Sequence, residues 1–96
     1  MNKYQAIIKF DITDDFQELI PPHRVYINYL INKDIIDQYV VSLEERSAWI
    51  TINAENRMEA EKLLENAPLA KHWSWELAEL AVWDGQLYRL PVLQMN

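Results

Sequence analysis

The sequence predicts a small α+β domain in the order β-α-β-β-α-β, with a four-stranded antiparallel sheet. Three observations predict it. Three segments show the period-two alternation of strands, a fourth is rich in β-branched residues, and two segments between them show apolar residues at helical spacing. The link Glu44-Glu45 between the middle strands is too short for anything but a hairpin.

The elements follow in order. Tyr4 to Phe10 reads as the first strand, with Tyr4, Ala6, Ile8 and Phe10 on one face. The polar stretch Asp11 to Gln17 reads as a loop. Pro21-Pro22 then opens a helix, because a proline in the first turn lacks only an N–H that has no intrahelical partner. Val25, Tyr26, Tyr29, Leu30 and Lys33 continue it. Ile35 to Leu43 is the second strand, and Arg46 to Ala54 is the third. In the third strand Ala48, Ile50 and Ile52 oppose Ser47, Trp49, Thr51 and Asn53. Asn56 with Glu59 is a capping-box variant that opens the second helix, and Asn66-Ala67-Pro68 ends it. Trp73 to Trp83 is the fourth strand. Asp84-Gly85 signals a hairpin turn into a short return strand, Gln86 to Leu90, within a C-terminal extension of about 84–96.

This order is the split βαβ of ferredoxin-like domains, with both helices on one sheet face. The other face is then bare, and the alternation assigns Tyr39, Val41, Trp49, Trp75 and Leu77 to it. An apolar patch of that size is expected to be covered. A second copy is the simplest cover, giving a homodimer that closes into a dimeric α+β barrel, with a larger assembly also open. The alternative cover is the C-terminal extension.

Composition narrows the chemistry. The chain has 96 residues, enough for one domain, and a formal net charge of −6. That charge gives no basic footprint for nucleic acid or an anionic membrane. The absence of cysteine excludes disulfides, thiolate metal sites and cysteine nucleophiles. With only His23 and His72, no metal-ligand spacing exists, and the one glycine excludes a phosphate loop. No cofactor is implied. Neither a spanning segment nor a signal peptide is apparent, so the expected location is cytoplasmic. Four Trp and five Tyr must fill a core, an interface or a ligand pocket.

The run from Asn56 to Leu69, followed by Glu76 and Leu80, resembles the second half of muconolactone δ-isomerases, where a capped helix runs into Pro-Leu and a final strand. Lys9-Phe10-Asp11 is similar to the end of that family's first strand, and Tyr29-Leu30 with Lys33 to the end of its first helix. Pro22-His23 through Ile35 resembles the YCII-like proteins, whose proposed active site is a histidine–aspartate pair. Three positions depart from these patterns. Asp34 stands where both families usually carry glycine, no Gly-Pro follows the second strand, and Ala67 replaces the aspartate of an Asp-Pro element.

The resemblance implies His23 as a general acid/base oriented by Asp11. The competing reading is an exposed histidine in a first helical turn and a polar loop aspartate. Glu79, on one side of the fourth strand with Trp75 and Leu77, is a second candidate base if held among indoles. Otherwise it is a rim residue paired with Arg46 or Lys9. Tyr39, Trp49 and Trp75 would wall a small-molecule cleft or form interface core, and Asp37 would add a polar group beside Tyr39. The resemblance implies cofactor-free proton transfer on a small lactone or related carbonyl compound. Two alternatives remain open: a cofactor-independent monooxygenase on the same scaffold, and a non-catalytic barrel used for binding or structure.

Overall fold

The computed structural model describes residues 1–84. Its elements are β1 (Asn2–Phe10), α1 (Phe16–Asn32), β2 (Ile36–Ser42), β3 (Ser47–Ala54), α2 (Arg57–Glu65), a 3-10 turn (Ala70–His72) and β4 (Trp73–Glu79). The four strands form one antiparallel sheet in the order β2-β3-β1-β4, the ferredoxin-like arrangement. The expected Asp84-Gly85 turn and the strand Gln86 to Leu90 lie outside the described residues.

The core lies between the sheet and the helices. Tyr4, Ala6, Ile8, Ile36, Ala48, Ile50 and Ile52 meet Ile27, Leu30, Ala60 and Leu64 there, all buried. Burying each large side chain contributes roughly 1.5–3 kcal/mol.

Helix α1 begins at Phe16, well before Pro21-Pro22, so the expected loop over Asp11 to Gln17 is shorter. Both prolines lie inside the helix on its exposed side, where water satisfies the carbonyls that lose N–H partners. What extends the helix is the apolar series Phe16, Leu19, His23, Ile27 and Leu30. Phe16 stacks on Phe10 with ring centroids 5.6 Å apart, which anchors the early start.

The end of α1 explains one departure from the family patterns. Asp34 has φ 62°, in the left-handed region that glycine adopts freely. Its N–H donates to Ile31 C=O at 3.0 Å, and the Ile35 N–H donates to Leu30 C=O at 2.9 Å. This is a Schellman cap, and aspartate tolerates its conformation better than most residues. At α2 the expected cap forms, since the Glu59 N–H donates to Asn56 Oδ1 at 2.9 Å. Asn56→Ala is expected to cost about 1 kcal/mol, measured as a lower midpoint in urea.

The sheet corrects two face assignments. In β4, Trp75 pairs with Ile8, Leu77 with Ala6 and Glu79 with Tyr4, all core positions of β1. That row therefore faces the helices. Ser74 and Glu76 occupy the helix-free side, and their polarity was the signal for this phase. In β2 the register with β3 slips between Ile36 and Gln38. The bulge adds Asp37 as an extra residue, which sends Tyr39 and Val41 to the helix side opposite Ile50 and Ala48.

The helix-free face thus carries fewer large apolar residues than expected. Ile7, Trp49 and Val40 are register neighbours across β1, β3 and β2 at its centre. Ile7 is 36% exposed and Val40 42%. At one end Lys3 is buried in a polar network. Its ammonium pairs with Asp37 and donates to Asn53 Oδ1 at 2.8 Å, and the Trp83 ring lies over it with its centroid 5.0 Å from Nζ.

Candidate active site

A cleft of about 170 Å³ opens between the middle of α1 and one end of the sheet. Phe16, Ile20, His23 and Arg24 of α1 form one wall. Phe10, Tyr39, Val41, Ala48 and Trp73 of the sheet form the other, with Leu43 and Leu69 at the edges. An apolar cavity of about 150 Å³ is known to admit benzene, so a single ring fits.

Helical spacing puts Ile20, His23 and Arg24 on one side of α1. Packing buries the His23 ring to 1% exposure. Its Nε2 lies 2.9 Å from the Tyr39 hydroxyl. Trp73 meets the ring edge-on at 5.2 Å between centroids. Nδ1 is buried with no hydrogen-bond partner among the described residues. Burial, and then the neighbouring Arg24 charge, lower the His23 pKa to about 4. His23 is therefore neutral at pH 7, a hydrogen-bonded base rather than a cation. Burial also raises the Tyr39 pKa, against an opposing pull from Arg24, so the phenol keeps its proton.

The low His23 pKa has a consequence for stability. Between about pH 6.5 and pH 4 the unfolded chain takes up a proton at this histidine and the folded protein does not. Stability therefore falls as the pH drops through that window, by up to roughly 3 kcal/mol. Urea midpoints measured from pH 7 to pH 4 check this, and His23→Leu should flatten the curve.

A second polar cluster ties the start of α1 to the 3-10 turn. Asp15 accepts from Lys71 and from the Thr13 hydroxyl, which hold its carboxyl down at about 2, and His72 Nε2 lies 3.2 Å from its Oδ1. Asp15 therefore titrates below the His23 window.

The other candidate residues lie elsewhere. Asp11 is an exposed residue whose N–H donates to His72 C=O at 3.1 Å, and no hydrogen bond joins it to His23 among the described residues. Glu79 is exposed, six strand residues from Trp73, about 20 Å along β4. It is not held among indoles. Trp49 and Asp37 are on the helix-free face, away from the cleft. Trp75 packs against the core without lining the cleft, and Trp73 supplies the indole. Arg24 and Phe16 were missed, although both share the side of the helix that carries His23. Among the described residues no group of three or more His, Asp or Glu is placed to hold a metal ion, and no helix is long and apolar enough to cross a membrane.

The fold and cleft together define a ferredoxin-like α+β domain with a histidine–tyrosine pair in a pocket between helix and sheet. Among solved structures the chain is similar to 5-chloro-2-hydroxyhydroquinone dehydrochlorinase (TftG) from Burkholderia phenoliruptrix AC1100, in complex with 2,5-dihydroxybenzoquinone. The TM-score is 0.53 and the identity 16%, over 88% of this chain and 97% of that one. At that identity the likeness establishes the fold. No family model matches the chain, and no curated protein matches it.

Proposed function

We propose that this protein is a small-molecule enzyme that moves a proton on a single-ring carbonyl compound without a cofactor, working as a homodimer. The observation that carries this reading is the buried, neutral His23 hydrogen-bonded to Tyr39 beside a ring-sized cleft. Perturbed titratable groups in an apolar pocket are the usual mark of proton-transfer chemistry. The sequence resemblance to muconolactone δ-isomerases supports the same chemistry, and the fold likeness to a dehydrochlorinase supports a catalytic use of the scaffold.

In this mechanism Tyr39 donates its hydroxyl hydrogen bond to His23 Nε2. A C–H next to the substrate carbonyl breaks, and its proton passes to the Tyr39 oxygen as the phenol proton moves to Nε2. The electron pair left behind is held as the enolate. Return of the proton at another carbon completes an isomerisation with no net change in atoms. Asp11 has no part in the step.

The experiment is deuterium exchange from solvent into a panel of cyclic enones and unsaturated lactones, followed by NMR. Exchange by the wild type and its loss in His23→Gln are expected. Wild-type exchange rates in His23→Gln would sink the assignment.

The homodimer forms through the helix-free face, with Ile7, Val40 and Trp49 at its centre. These neighbouring side chains are left partly open to water in the single chain.

A further inference from the structure

Arg24 stands out in the cleft wall. It is the one permanently charged side chain among residues that are otherwise mostly aromatic and aliphatic. Among the described residues no carboxylate forms an ion pair with it. A guanidinium carries a planar fork of donors that matches a carboxylate. Arg24 follows His23 on α1 and borders the same cleft, and Tyr39 faces that histidine from β2.

We propose that Arg24 is the specificity residue of this site: it seats the carboxylate of a single-ring ligand, and its neutralisation there arms the His23–Tyr39 pair as a base. This rests on the reading of the cleft as a small-molecule site. The same positive charge adds to the lowering that burial imposes on the His23 pKa and opposes the rise that burial gives Tyr39. A carboxylate on Arg24 cancels that effect, so His23 becomes more basic and Tyr39 stays protonated. The groups facing His23 are Arg24 on its own helix, Tyr39 from β2 and the uncharged Trp73 from β4. The base is therefore stronger with an anionic ring in place than with a neutral ring of the same size.

Benzoate and benzamide are the probes, having the same ring and differing in charge. Binding is measured by calorimetry on the full chain, and the His23 titration is followed by NMR. Wild type should bind benzoate at least tenfold more tightly than benzamide, and benzoate should raise the His23 midpoint from about 4. In Arg24→Gln the preference should vanish, the midpoint should start higher and benzoate should no longer move it. Arg24→Lys should restore part of the preference. Equal binding of the two probes by wild type, or a benzoate preference that survives in Arg24→Gln, overturns the role of Arg24 and leaves the cleft reading standing. If neither probe disturbs the His23 signals, the cleft reading falls and this inference falls with it.

Discussion

Tyr39→Phe is expected to slow deuterium exchange by 10²–10⁴-fold, the range typical of losing a positioned acid–base group. The substitution keeps the ring and its packing and removes the one hydrogen-bond partner that His23 Nε2 has among the described residues. Both ring nitrogens of a buried histidine are then orphaned, because Nδ1 already has no partner. A stability loss of about 1–3 kcal/mol should accompany the rate loss. His23→Gln should cost a similar factor. The double variant should be little worse than either single one, because in the proposed mechanism the two groups pass one proton as a unit. The wild-type rate should fall on the acid side with a midpoint near 4 rather than near 6.5, since the base is lost only when the buried imidazole takes a proton. A Tyr39→Phe protein that exchanges as fast as wild type would remove the phenol from the mechanism.

Trp49→Asp is expected to convert the proposed homodimer to monomer at micromolar concentration. Trp49 sits at the centre of the helix-free face, with Ile7 and Val40 as its register neighbours. Each large apolar side chain that a partner covers contributes roughly 1.5–3 kcal/mol. A two-fold interface loses the indole twice and brings two carboxylates toward each other. The dissociation constant should rise at least a hundredfold, which sedimentation velocity resolves. Thermal unfolding of the variant should stay cooperative, since Trp49 lies outside the helix–sheet core. A wild type that sediments as a monomer at the same concentration would refute the interface.

The sequence made the fold legible where local chemistry and tertiary packing agree. The alternation of β3 and the Asn56 cap give their elements directly, and both appear at the expected residues. The start of α1 was hidden because two prolines argue locally for a first turn, whereas the stacking of Phe16 on Phe10 decides otherwise. The phase of β4 was ambiguous because both of its rows contain apolar residues. The bulk needed under the helices selects the row with Trp73 and Trp75, and Ser74 and Glu76 take the other side. Of the candidate site, His23 and Tyr39 were named from sequence, but as members of separate groups. Their meeting depends on a register slip that no residue in β2 announces. Arg24 escaped notice because an exposed charged residue reads as solvated surface, and only the fold shows that it borders the cleft.

The slip at Asp37 reaches beyond geometry. Downstream of it, strand parity decides whether the phenol meets His23 or turns to the helix-free face. Pairing the strand regularly with Asp37 kept in it would turn Tyr39 over, whereas deleting that one codon would leave Tyr39 opposite Ile50. A change in how this strand pairs, with no replacement at the site, is then enough to separate or rejoin the pair.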